Sequence, residues 1–105
     1  MSGRWCLIAI RRAAIAHDGL RRDAEALAAE GCLVELVFAG DALSEFLASC
    51  ADEPIATTAS PYERLVDRHS LRRRGSPELP RDVIVVDEYH VADRLLDPAW
   101  RVVWR

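Results

Sequence analysis

The chain has 105 residues, a formal net charge of −3, half its residues hydrophobic and 30% charged. That is the composition of one globular domain; it argues against disorder and against any global electrostatic pull towards nucleic acid or anionic membranes. All fourteen basic residues are arginine, which excludes mechanisms that need a lysine base, a Schiff base or a P-loop lysine.

In chain order, the N-terminus MSGRWCLIAIRR lacks the basic start, long apolar middle and cleavage site of a signal peptide, so a cytoplasmic location is expected. No apolar run approaches membrane-spanning length. Residues 5–10 form a short apolar run, the pattern of a strand covered on both faces, and Arg11 and Arg12 end it. A loop over 13–18 leads to a helix over 19–30, where Leu20, Ala24, Leu27 and Ala28 make a core stripe and Gly31 a stop. The stretch LVELVFAGDAL (33–43) reads as a buried strand, a Gly40-Asp41 turn and a helix start capped by Asp41. That helix covers 42–49, with Leu43, Phe46 and Leu47 inward.

After Pro54 comes a weak strand, 55–58. Ser60-Pro61-Tyr62-Glu63 has the pattern of a capping box opening a helix that reaches Arg74 and stops at Gly75. Residues 76–80 are a proline-containing linker, 82–87 a buried strand, 89–96 a short helix and 101–104 a last strand. The order βαβαβαβαβ predicts a single α/β domain with a mostly parallel five-stranded sheet and helices on both faces.

In such a sheet the loops after the strands form the functional edge. They gather Arg11, Arg12 and His17 after the first strand, Gly40 and Asp41 after the second, Ser60 after the third, and Glu88, Tyr89 and His90 after the fourth. Arginine, histidine, aspartate, serine and tyrosine together are suited to anion binding or acid–base work, although any domain places polar residues in such loops. Ser60 lacks a Gly-x-Ser-x-Gly elbow and reads first as a helix cap. His17, His69 and His90 lack metal-ligand spacing, and Cys6, Cys32 and Cys50 are odd in number and widely spaced. Neither a metal site, a disulfide framework nor a cofactor is therefore expected. Cys6 reads as a core residue and Cys50 as the most exposed thiol, with the helix C-terminus, Asp52 and Glu53 raising its pKa. Arg72-Arg73-Arg74 reads as a solvated helix end, so direct nucleic-acid binding is not expected. Trp100 and Trp104 mark the last segment as an aromatic edge suited to association.

Four pieces together resemble the DsrE/DsrF/DsrH superfamily of small sulfur-relay proteins, nearest its DsrH (TusB) branch. They are LVELVFAGDAL (33–43), SLRRRGS (70–76), VIVVDEYHVADRLL (83–96) and the terminal RVVWR (101–105). The resemblance implies a cytoplasmic subunit of an oligomer with related subunits, passing persulfide sulfur between donor and acceptor proteins in tRNA thiolation or sulfur oxidation. DsrE-type subunits carry an acceptor cysteine just after the third strand, where this chain reads TTASPY with Ser60. DsrH-type chains often carry one between the first strand and helix, where this chain reads RRAAIAHDGL with His17. Neither relay cysteine carries over. The expected role is thus a partner subunit working through protein–protein contacts; the alternative is a stand-alone sulfurtransferase carrying persulfide on Cys50. Receiver and flavodoxin modules are set aside, since the chain has no lysine and no Ser/Thr-rich phosphate loop after the first strand.

Overall fold

Five strands and four helices alternate along the chain: β1 (Arg4–Ala9), α1 (Ala14–Ala29), β2 (Leu33–Phe38), α2 (Gly40–Ala51), β3 (Glu63–Asp67), α3 (Arg68–Arg72), β4 (Val83–Val86), α4 (Glu88–Leu96) and β5 (Trp100–Trp104). The computed structural model describes residues 3–11, 14–51 and 60–105. Every strand pair is parallel, in the order β4-β3-β2-β1-β5. The expected α/β fold, a parallel five-stranded sheet with helices on both faces, is the one observed.

Period-two alternation divides the central strands between two cores. Leu7, Ala9, Leu36, Phe38 and Val66 face Leu20 and Ala24 of α1, Ala42, Leu43 and Phe46 of α2, and Leu71 of α3. Cys6, Ile8, Val37 and Leu65 face the other way, where Val91 of α4 packs with Val86, Trp100 and Val102. Three helices thus lie on one face and α4 alone on the other. A single nine-residue helix spans little of a five-stranded face. Leu33, Ile84 and Trp104, all on that side, stay 50, 46 and 48% exposed. The segment 82–87, expected as a buried strand, is a half-exposed edge strand over 83–86, because only β3 pairs with it.

Helix α1 stops as expected at Gly31 (φ 89°), where Gly31 N–H donates to the Ala28 carbonyl and Cys32 N–H to the Leu27 carbonyl. The same paired bonds close the turn at Gly75 (φ 79°), from Gly75 N–H to the Arg72 carbonyl and Ser76 N–H to the Leu71 carbonyl.

Three boundaries differ from the sequence expectation. Residues 14–18, read as loop, already belong to α1, because docking of Leu20 and Ala24 offsets the cost of about 1 kcal/mol for Gly19 inside a helix. The helix expected over 60–74 is replaced by β3 and the short α3. Leu65 and Val66 are each buried, on opposite faces of the sheet, and only a strand presents consecutive residues that way. The true cap is Asp67, whose carboxylate accepts the Ser70 N–H at 3.0 Å. The strand expected over 55–58 lies outside the described residues. Finally, α2 begins at Gly40, so Asp41 lies in its first turn instead of capping it. The cap is tertiary: Gly40 N–H donates to the Ser70 hydroxyl at 2.9 Å and Ala42 N–H to the Ile10 carbonyl at 3.0 Å.

Candidate functional site

The strand order reverses once. Strands β1 to β4 step outward in one direction, and β5 returns to the free side of β1. The carboxyl ends of β1 and β5 therefore flank the topological switch point, the usual ligand crevice of a parallel sheet. A cleft of about 440 Å³ lies there, lined by Ile10, Arg11, Trp104 and Arg105. Its backbone is tied by Ile10 N–H donating to the Arg105 carbonyl at 2.7 Å and Arg105 N–H to the Ile8 carbonyl at 2.9 Å. Two guanidinium groups and an indole make this an environment for anions and flat rings. None of these four residues is a general base or nucleophile.

A second polar group joins the carboxyl ends of β2 and β3. The Asp67 carboxylate accepts the Ser70 hydroxyl at 2.7 Å, and that hydroxyl accepts Gly40 N–H. Arg74 donates to the Ser44 hydroxyl at 2.8 Å and to the Ser70 carbonyl at 3.0 Å, and approaches Asp41 at 3.8 Å. The contacts to Gly40, Ser44 and Asp41 tie α3 and the turn after it to the start of α2, so the group is a brace. Ser70→Ala removes both the Gly40 acceptor and the donor to Asp67. It is expected to cost about 1–2 kcal/mol in urea unfolding while leaving the Asp67 backbone cap in place.

The most concentrated electrostatics lies beneath α4. Glu35, in the middle of β2, is 3% exposed, and its carboxylate is enclosed by two α4 side chains. Arg94 donates through Nε to Oε1 at 2.8 Å and through Nη2 to Oε2 at 3.1 Å. His90 Nε2 lies 2.9 Å from Oε1. The Arg94 guanidinium also sits over the Trp100 ring at 4.0 Å. Burial pushes the Glu35 carboxyl up, but hydrogen bonds from Arg94 and His90 and their charges outweigh it, and its pKa is lowered. Positions 90 and 94 are one helical turn apart, which places both side chains on one face of α4. The triad pins that helix to the sheet.

None of the three cysteines lies at the carboxyl edge. Cys6, the β1 neighbour of Glu35, is fully buried; burial and then the Glu35 charge push its thiol up to about 12, so it is no thiolate at neutral pH. Cys32 precedes β2 at the opposite end of the sheet, and Cys50, half-buried, sits in the last turn of α2, a helix whose first turn is at the carboxyl edge. Asp52 and Glu53, expected to raise the Cys50 pKa, lie outside the described residues. No group of three or more His, Cys, Asp or Glu among the described residues could hold a metal ion.

Of the residues gathered from the sequence, Arg11, Asp41 and Tyr89 stand at the carboxyl edge, with Arg11 in the cleft, Asp41 beside Arg74 and Tyr89 67% exposed. His17 falls on α1, its side chain outside the described residues. Ser60 moves to the other end of the sheet. It lies just before β3, and it lines a shallow groove of about 300 Å³ with Leu33, Glu63 and Ile84. His90 is not an edge-loop residue, because α4 begins at Glu88 and turns its ring onto Glu35. Sequence reasoning missed Glu35 and Arg94. The available signal was one carboxylate inside an otherwise apolar strand, LVELVF, which requires a buried cation partner. No helix among the described residues is long and apolar enough to cross a membrane. Set against known proteins, the chain matches no protein-family model and no curated sequence.

Proposed function

We propose that this chain is a partner subunit of a cytoplasmic sulfur-relay complex of DsrE/DsrF/DsrH type, working through protein–protein contacts and needing no cofactor. The observation that carries the reading is the outer surface of α4. Tyr89, Leu95 and Leu96 are 67, 54 and 83% exposed, and no residue of this helix is fully buried. Large apolar side chains gathered on one short element favour docking of another protein. The placement of the cysteines agrees, since the carboxyl edge offers polar and cationic groups but no thiol to receive sulfur. The five-stranded parallel sheet is the architecture that the resemblance implies, although a fold of this kind serves many functions.

Intact mass after exposure of the folded protein to a persulfide donor tests this directly, with wild type beside Cys50→Ala. The expected result is no sulfur adduct on either protein. It should be accompanied by co-elution with DsrE- and DsrF-like subunits that Leu96→Glu weakens at least tenfold. An adduct present on wild type and absent from Cys50→Ala would replace the partner-subunit reading with a sulfurtransferase carrying persulfide on Cys50.

A further inference from the structure

The two edges of the sheet are built differently. β5 carries Arg101, whose guanidinium lies 5.2 Å from the Trp5 ring centre, so a charged side chain interrupts its apolar row. β4 is short, at four residues, but it reads Val-Ile-Val-Val, with no charge, proline, glycine or bulge to keep it from pairing. Ile84 and Val85 are 46 and 37% exposed on opposite faces. Apart from Val83 N–H, which donates to the Pro80 carbonyl, the outward backbone groups of β4 have no backbone partner among the described residues. Such a strand is a ready template for another.

We propose that β4 pairs with β4 of a second copy, antiparallel about a two-fold axis, to join two sheets into one. The occupant follows from charge and register. Residues opposite each other in an antiparallel pair point to the same face, so only two registers centre on this strand. One sets Ile84 opposite Ile84 of the second copy, and the other sets Val85 opposite Val85. The Val85 register brings Asp82, whose carboxylate Arg64 already holds at 2.8 and 2.9 Å, against Glu88 twice, and so adds no ion pair. The Ile84 register brings Val83 against Val85 and carries Arg81, exposed just before the strand, to Asp87 just after it, again twice. Self-pairing in the Ile84 register is therefore complementary in apolarity and charge, and it covers Ile84. The pairing is independent of the sulfur-relay reading and uses a different surface from the outer side of α4.

Four residues a side make less than a standard interface, so the dimer is concentration-dependent. Sedimentation over a loading range of about 1–300 μM is expected to show monomer passing to dimer, and Arg81→Glu to weaken the association roughly tenfold. Disulfide trapping reads the register. In a background with Cys32 and Cys50 replaced by serine, Ile84→Cys is expected to give a covalent dimer on mild oxidation. Opposed residues have Cα atoms about 4.5–5.5 Å apart, within disulfide reach. Val85→Cys is expected to give no covalent dimer, since its own copy lies about 8 Å away, beyond the limit of about 7 Å. Trapping through Val85→Cys alone would overturn the register. A monomer at every loading that neither cysteine traps would overturn the dimer. Hydrogen-exchange protection of the β4 amides in that monomer would assign the edge to another segment of this chain.

Discussion

Arg94→Met is expected to be the most damaging single change on the α4 side of the sheet, costing about 3 kcal/mol at neutral pH. The reason is what it leaves behind: a Glu35 carboxylate 4% exposed at its side chain, facing only His90. Removing one partner of a buried pair destabilises far more than removing both. Glu35→Gln combined with Arg94→Met is accordingly expected to recover much of the loss. His90→Ala, which leaves the two-pronged arginine contact intact, should cost about 1–2 kcal/mol. At the surface, Arg105→Met breaks a half-exposed 3.7 Å contact with Asp23 and should cost no more than about 0.5 kcal/mol.

The same pair fixes the direction of the pH dependence. Glu35 has a lowered pKa in the folded protein, so its pairing adds stability above the ordinary value of 4.5 and loses it as pH falls through the lower folded value. In Arg94→Met the arginine contribution is gone and burial pushes the carboxyl up. The deficit of the variant is then largest where Glu35 is charged and shrinks in acid, where a protonated carboxyl needs no cation. Urea unfolding of wild type and variant at about pH 7 and about pH 4 measures this. A deficit that stays constant between the two would mean that Arg94 acts by packing over Trp100 and not by pairing with Glu35.

Phe38→Ala is the matching change on the other face, expected to cost about 3–4 kcal/mol. Phe38 is 2% exposed and stacks on Phe46 of α2, with centroids 4.1 Å apart and planes 14° from parallel. Truncation removes the ring contact and opens a cavity that β2 and α2, held by backbone bonds, close only partly. The loss should also reach the carboxyl edge, because this stack positions the turn before Gly40. Faster hydrogen exchange at the Gly40 and Ala42 amides is the expected signature beyond the shift in urea midpoint. Leu33→Ala, at the half-exposed start of the same strand, should cost about 1 kcal/mol or less.

The cleft at the switch point and the triad under α4 serve different ends. The cleft offers Arg11, Arg105 and Trp104 to solvent, whereas the triad spends its charges on holding one helix in place. With the brace from Ser70 to Gly40, the carboxyl edge is cross-linked by hydrogen bonds, cationic at one end and without a thiol.

Local pattern alone determined the elements whose burial is one-sided or complete. The apolar runs of β1 and β2, the stripe of Leu20, Ala24 and Leu27, and the stops at Gly31 and Gly75 each carry their own signal, because backbone geometry and solvent exposure act over a few residues. The run of β4 marked a strand but not its burial, which depends on its place at the edge of the sheet. Alternation of those elements was enough for a parallel sheet. Tertiary structure decided what depends on partners far along the chain. Residues 63–67 have a respectable helix start before them, yet they become a strand because β2 and β4 hydrogen-bond on either side. The cap of α2 comes from Ser70, thirty residues later, and not from the adjacent Asp41. Ser60 and His90 left the expected edge for the same reason, one by a shift of strand boundary and the other by pairing with Glu35 across 55 positions. Burying a carboxylate in the middle of a sheet is tolerable only when a cation is held against it. Only the folded chain shows that α4 brings one.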